Sequence, residues 1–368
     1  MYVTVLPSLP LSLLRGPPRG GLGQAAAYAQ CFYRYGRDAL HVGLERAGLE
    51  KGDIVLMPAS MCDVVLRAFV HKGILLRLYD RDPALPMARE LLSGLTCPRT
   101  RAIYVNHDFG VESDLGAIRS FCDEKNLLLI EDCAHLLSGS RARAGRWGDF
   151  SIFSPRKLLP LPDGGALRWN RDAPPSPVLG GTRDTGGLLK LLAAHLALKG
   201  LLPIATLKSW KGGAEDLLRL APDFSMTSWE PPSPMSSTSI ALADRMDVEG
   251  IVTARLQNYQ LAHEWALRLG EKGRPLYKEA PSSAAPFSFP LVCEQRDKLV
   301  RMAASHGIYL EPTYNPPYRN VPGLLNPDSV FPVSERLART LVSIPIHQAI
   351  SPRLMRRLLK LLDKSLRT

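Results

Sequence analysis

The chain has 368 residues, 45% of them hydrophobic, enough for a large core and for more than one domain. Lysine and arginine number 46 against 35 aspartate and glutamate, a formal net charge of +11 that suits nucleic acid, an anionic membrane or an anionic small substrate. The sequence holds no zinc-finger spacing, RNA-binding aromatic signature or basic heptad helix, so nucleic acid is not expected as a partner.

The opening MYVTVLPSLPLSLLRGP lacks a basic start and a small-residue cleavage site and is not read as a signal peptide. Pro17, Pro18, Gly20, Gly21 and Gly23 mark residues 1–35 as an arm. No run of 18 uncharged apolar residues occurs, so no membrane span is expected. The six cysteines (Cys31, Cys62, Cys97, Cys122, Cys133, Cys293) form no CxxC pair, and their apolar neighbours predict buried thiols in a reducing, cytoplasmic setting.

Gly36-Arg37-Asp38-Ala39-Leu40 opens a helical pattern. A glycine before a helix can seat a phosphate, although by itself it reads as a plain helix start. Residues 52–58 read as turn, strand and stop, and SMCDVVLRAFVHKG after them as a helix. Ile74–Tyr79 and Arg101–Asn106 are expected strands, the second leading into His107-Asp108-Phe109-Gly110. Asp114–Lys125 is an amphipathic helix with Leu115, Ile118 and Phe121 on one face. This alternation predicts an α/β fold with a doubly wound, mostly parallel sheet.

The apolar run Leu127–Ile130 reads as a buried parallel strand that stops at Glu131 and Asp132. A short strand over Asp149–Ser154 is followed by Lys157. Ligands of open α/β sheets lie beyond the carboxyl ends of the strands, so Asp132 and Lys157 are expected in one crevice. An acid and an amine there suit pyridoxal phosphate: the amine can form an imine with its aldehyde, and the acid can pair with its pyridinium nitrogen.

Ala166–Trp169 continues the sheet. Residues 188–210, LLKLLAAHLALKGLLPIATLKSW, read as a core or interface helix, with weak membrane-surface contact as the other reading. Ile240–Leu269 is expected as one long helix, Phe287–Val292 as a strand, Arg296–His306 as a helix, 307–310 as a strand start and Ser351–Leu362 as a last helix. Helices and short strands without strict alternation predict a smaller α+β domain. The expected division is an arm at 1–35, a large α/β domain at 36–240 and a small domain at 241–368.

Taken in order, Glu131, Asp132, Ala134, His135, Gly148, Asp149, Phe153, Ser154, Lys157, Gly164 and Gly165 resemble the DegT/StrS family of pyridoxal-phosphate-dependent sugar aminotransferases. Arg255, Asn258 and Tyr259, and then Ser343 to His347, resemble two further segments of that family. The resemblance implies a fold type I, aspartate-aminotransferase-like architecture. It implies that Lys157 carries the cofactor and moves the proton, that Asp132 faces the ring nitrogen, and that His135 meets the phenolic oxygen or packs beneath the ring. It places the phosphate at Gly36, Arg37, Asp38 and Ser154, puts Cys62 on the ring face, and gives Ser236 the place of a partner-subunit asparagine. His107 is implied near ring and substrate, and no metal is expected. The implied reaction moves an amino group from an amino acid, glutamate by analogy, to a keto sugar, nucleotide-linked, for surface-polysaccharide or natural-product biosynthesis in a homodimer.

Three departures stand out. Only Pro155 and Arg156 separate Ser154 from Lys157 where the family has four residues, Arg37 stands where the family has threonine, and no asparagine occurs in Pro231–Ser239. They motivate an alternative, a diverged, non-catalytic cofactor-binding relative with a structural or regulatory role. Lys157 itself argues against dehydrating relatives, which carry histidine there.

Overall fold

The computed structural model describes residues 3, 7, 9, 16–21, 29–137, 142–171, 181, 183–189, 192, 230–313 and 321–367. The apolar segment 188–210 lies almost wholly outside them.

In chain order the first half forms β1 (Cys31–Tyr33), α1 (Gly36–Arg46), β2 (Ile54–Pro58), α2 (Asp63–His71), β3 (Leu75–Tyr79), α3 (Arg89–Leu95), β4 (Thr100–Asn106), α4 (Gly116–Lys125), β5 (Leu128–Cys133), β6 (Leu136–Leu137), β7 (Phe150–Phe153) and β8 (Gly165–Trp169). Seven of these strands make one sheet in the order β1-β8-β7-β5-β4-β2-β3. From β3 to β7 the pairing is parallel, and β8 and β1 add antiparallel edges.

Parallel strands buried on both faces need apolar residues at odd and even positions alike. Strand β2, IVLMP, meets that need and is buried throughout. Val55, Met57, Ala102, Tyr104 and Ile130 pack with Ala39, Leu40 and Leu44 of α1. Ile54, Leu56, Ile103, Val105 and Leu129 pack on the other face with Leu92 of α3 and Ile118 and Phe121 of α4. Side chains alternate faces along a strand, so Asp132 belongs with Tyr104 and Ile130 on the α1 side and Glu131 on the α4 side.

The second half comprises α5 (Ser237–Asp244), α6 (Val248–Ala266), β9 (Arg274–Pro275), β10 (Ala285–Pro286), β11 (Phe289–Val292), α7 (Arg296–Ser305), β12 (Glu311–Pro312), α8 (Pro332–Thr340), β13 (Leu341–Ile344) and α9 (Pro352–Arg367). An antiparallel sheet, β12-β13-β11-β9, packs Phe289, Leu291, Val342 and Ile344 against Tyr259 and Trp265 of α6 and Leu358 and Leu362 of α9. Strands β10 and β6 pair across the two halves.

The helix expected over 240–269 is two helices. α5 stops at Asp244, and Asp247 restarts the chain by accepting the Gly250 N–H at 3.0 Å, an N-cap inside an otherwise apolar pattern. The strand expected at 307–310 is reduced to a parallel bridge between Ile308 and Val3, and the ladder begins at Glu311. Val3 thus belongs to the second half's core, although the sequence reads as an arm there. Among the described residues, no helix is long and apolar enough to cross a membrane.

Candidate active site

Strands β5 and β7 lie side by side, with Asp132 opposite Ile152 and Cys133 opposite Phe153. After β7 the chain bends through one 3-10 turn, Pro155–Lys157, in which the Lys157 N–H donates to Ser154 O at 3.0 Å. Proline at the first position suits this turn, since its φ is already near the required value. The turn brings the Lys157 amine within electrostatic reach of Asp132, Cys62, Arg156 and Glu311. Loss of hydration pushes its pKa below that of an ordinary lysine, Arg156 adds to the shift, and Cys62 and Asp132 oppose it. Burial and then the Lys157 charge push the His135 imidazole well down. Its ring stacks on Phe287 at 5.0 Å and 16°.

Asp132 is held from two sides. The Ala134 N–H donates to Oδ1 at 2.7 Å, and the hydroxyl of Tyr104 donates to Oδ2. Burial first and the Asp132 charge second push the Tyr104 phenol far up, so its proton stays in place to donate. Tyr104 is absent from the sequence reading. Its one signal is a lone tyrosine in the apolar strand TRAIYVN, two residues short of the strand's carboxyl end.

Glu131, on the opposite face, is fully buried and collects five donors: His107 Nε2 at 2.9 Å, the N–H groups of Gly145 (2.6 Å), Trp147 (3.0 Å) and Gly148 (2.9 Å), and Ser151 Oγ at 3.1 Å. Burial works to raise its pKa, but the His107 and backbone hydrogen bonds more than offset it and leave the carboxyl low. The Ser113 N–H donates to His107 Nδ1 at 3.0 Å, so the ring proton sits on Nε2 and points at Glu131. This corrects the substrate-side placing of His107: with 1% exposure and both nitrogens bonded, it faces away from the Asp132 side of the sheet. Donor atoms of His107, Glu131 and Cys133 lie within 4.8 Å of one another. With the Cys133 thiol pushed far up by burial, the three form a hydrogen-bond network.

The start of α1 closes the other end of the crevice. A Cβ on Gly36 would lie 3.3 Å from Phe153 O and 3.5 Å from Ser154 Cβ, so the helix N-terminus abuts Ser154. A Cβ on Gly165 would lie 2.1 Å from the Tyr35 carbonyl carbon, which makes glycine obligatory at that approach. Among the described residues, the Ser154 hydroxyl has no hydrogen-bond partner. Asp38 is corrected from a phosphate contact to a cap. Its N–H donates to Tyr35 O at 3.1 Å and its carboxylate accepts the Tyr35 N–H at 3.2 Å. Burial raises its pKa to about 6, against the pull of Arg37.

Within its own chain the Ser236 hydroxyl donates to Asp163 Oδ1 at 2.9 Å and accepts the Ser239 N–H at 3.2 Å, capping α5. None of the six cysteines is in a disulfide, and Cys62, expected to be buried, is exposed at the N-cap of α2 beside Lys157.

The Arg255 and Pro345 segments, 90 residues apart in sequence, meet behind the lysine. Arg255, fully buried, donates to the carbonyls of Leu158 (3.1 Å), Pro286 (3.0 Å) and Phe287 (3.0 Å) and to Gln348 Oε1 at 3.0 Å. Gln348 Nε2 donates to the same Leu158 carbonyl at 3.1 Å, while Asn258 Nδ2 holds Ile346 O and Ile350 O. The residue that follows Lys157 is therefore gripped from the second half of the chain.

The described residues fit pyridoxal phosphate: a lysine of depressed pKa, a carboxylate fixed by Tyr104, and a helix N-terminus at Gly36 with the unpartnered Ser154 hydroxyl beside it. The whole chain shares its fold with an aminotransferase, TlmJ from Streptoalloteichus hindustanus, with a TM-score of 0.68 at 20% identity, 100% of this chain and 99% of that one being covered. A sugar aminotransferase from Streptococcus pneumoniae, Spr1654, solved in its pyridoxamine phosphate form, superposes with a TM-score of 0.68 at 16% identity over 100% of this chain and 98% of that one. The chain thus has the fold that these two structures share. Over residues 33–174 the chain matches the DegT/DnrJ/EryC1/StrS aminotransferase family. GDP-perosamine synthase of Vibrio cholerae is 29% identical over 142 residues, 37% of this chain. The chain spans about two fifths of that relative's length, 39%.

Proposed function

We propose that the protein is a pyridoxal-phosphate-dependent aminotransferase that takes an amino group from an amino acid, glutamate, and gives it to a keto sugar carried on a nucleotide. The observation that carries this reading is the convergence of Lys157 and Asp132 at the carboxyl ends of β7 and β5. When bound, pyridoxal phosphate supplies an electron-accepting ring that stabilises negative charge on the carbon bearing the exchanged nitrogen. The chain's residues do the rest. Asp132, its carboxylate fixed by Tyr104 and Ala134, would accept a hydrogen bond from a protonated ring nitrogen. Lys157, with its lowered pKa, is neutral in a larger fraction near pH 7 and can take a proton at Nζ and return it one atom away. His135, backed by Phe287, and Cys62 both lie within electrostatic reach of the amine and can pack on a flat ring. The basic balance of the chain suits a sugar whose diphosphate is anionic. A homodimer belongs to the same reading and is checked by light scattering.

The test is spectroscopic. Protein loaded with pyridoxal phosphate should convert to the pyridoxamine phosphate spectrum on adding L-glutamate, and nucleotide-linked keto sugars should reverse the change. Lys157→Ala should abolish both half-reactions. A loaded protein whose spectrum ignores every amino donor supports the non-catalytic alternative instead.

A further inference from the structure

Helix α9 has two opposed faces. Met355, Leu358, Leu359, Leu362 and Leu366 are buried and pack in the core of the second half, against α6 and α7. Arg353, Arg356, Arg357, Lys360, Lys364 and Arg367 are all exposed. At about 100° per residue these six cations fall within an arc of about 100°, opposite the buried leucines. They form a row about 21 Å long. Asp363 is the one acid of the helix, and it pairs with Arg367 at 2.8 Å. With six cations against that acid, α9 holds +5 of the chain's formal +11. Arg353, Arg356, Arg357 and Lys360 enter no ion pair among the described residues. Other helix surfaces mix the signs: Arg119 pairs with Asp123 on α4 at 2.6 Å, Arg89 of α3 reaches Glu124, and Arg296 pairs with Asp297 on α7 at 2.8 Å. Like charges three and four residues apart on a helix repel, and on α9 such neighbours follow one another from Arg353 to Arg367. The apolar face is committed to the core, so the cations are held as a fixed row that an extended anionic surface can meet all at once.

We propose that the outer face of α9 is a docking surface for a bilayer bearing anionic phospholipid headgroups, with the helix lying flat on it. Charge complementarity is one ground. The margin of the row is the other: Leu354 and Leu361 are half-buried along one edge, where a lipid surface rewards apolar contact as well as charge. Helix α9 carries no aromatic residue on which a nucleic-acid base could stack. Because its leucines stay in the core, the helix does not insert, and the contact is peripheral and sensitive to salt.

The full chain is sedimented with vesicles of phosphatidylcholine alone or with about 30% phosphatidylserine, in about 0.1 M and about 0.5 M salt. The protein is expected to sediment with the anionic vesicles at low salt, to stay in solution with the neutral ones, and to be released at high salt. Arg353→Gln, Arg356→Gln, Arg357→Gln and Lys360→Gln combined should lower the partition by about 100-fold or more. Lys51→Gln, Lys125→Gln, Lys272→Gln and Lys278→Gln combined, all exposed and outside α9, remove the same net charge and should change it by less than about threefold. Equal losses in the two variants reduce the effect to net charge and overturn the proposal. Vesicle binding that survives in the α9 variant overturns it too, because the contact then lies elsewhere in the chain, residues 188–210 included. So does an α9-dependent affinity for a DNA duplex of about 20 base pairs that exceeds the affinity for vesicles at equal phosphate concentration. If the α9 variant does not fold, the wild type decides: a partition that is the same for both lipids, or insensitive to salt, overturns the proposal. Glutamate-driven conversion of the loaded protein should be unchanged in the α9 variant, so failure of the aminotransferase reading leaves this result standing.

Discussion

Glu131 and Asp132 are adjacent carboxylates with opposite fates, and the strand's two-residue period separates them. Asp132 meets one phenol and one backbone N–H, with lone pairs left for a ligand, whereas Glu131 is saturated by five donors. Asp38 shows the same principle with the opposite pH consequence. Its folded-state pKa of about 6 lies above the ordinary carboxyl value of about 4, so between these limits the folded state binds a proton that the unfolded chain releases. That contribution to stability is present in acid and is lost as pH rises through the window. Asparagine keeps the Tyr35 cap without the charge. Asp38→Asn should therefore gain stability relative to wild type by up to about 3 kcal/mol between pH 4 and pH 7, read as a widening gap in denaturation midpoints. A gap independent of pH refutes the assignment.

At the level of elements, Asp247 decides where one helix becomes two. The apolar content on both sides favours continuous helix, but the aspartate side chain offers the Gly250 N–H a partner and starts α6 as a separate helix. Asp247→Ala should cost about 1 kcal/mol in chemical denaturation, whereas Asp247→Ser should recover most of it. The 3-10 turn at Pro155–Lys157 illustrates a similar economy: one short turn directs Lys157 into the crevice and brings the Arg156 guanidinium to 5.3 Å from the Tyr35 ring.

For the whole molecule, Arg255 ties the two halves together. It is fully buried, no carboxylate among the described residues hydrogen-bonds to it, and burial brings its pKa down to about 9, yet carbonyls from both halves and Gln348 occupy its donors. Arg255→Met should destabilise by about 3 kcal/mol, since it strands buried carbonyls while removing a costly charge. Because it also releases the Leu158 carbonyl next to Lys157, the variant should load pyridoxal phosphate more weakly even at temperatures where it stays folded. Unaltered loading in a folded variant would separate Arg255 from the site.

Much of the architecture was legible before any coordinates. Apolar runs of strand length alternating with amphipathic helices determined the parallel sheet, and the switch of β5 from apolar to acidic marked its carboxyl end. Ordered glycines and prolines marked the turns, so Asp132 and Lys157 could be placed at one edge of the sheet. These signals are local, each written within about ten residues of the structure it specifies. What only the tertiary structure decided is which polar group answers which. Tyr104 reaches Asp132 across 28 residues of sequence, His107 reaches Glu131 across 24, and Ser236 reaches Asp163 across 73. Such pairings depend on strand register and on how helices seat against the sheet. For that reason His107, Asp38 and Ser236, plausible ligand contacts in the sequence, proved to be internal hydrogen-bond partners.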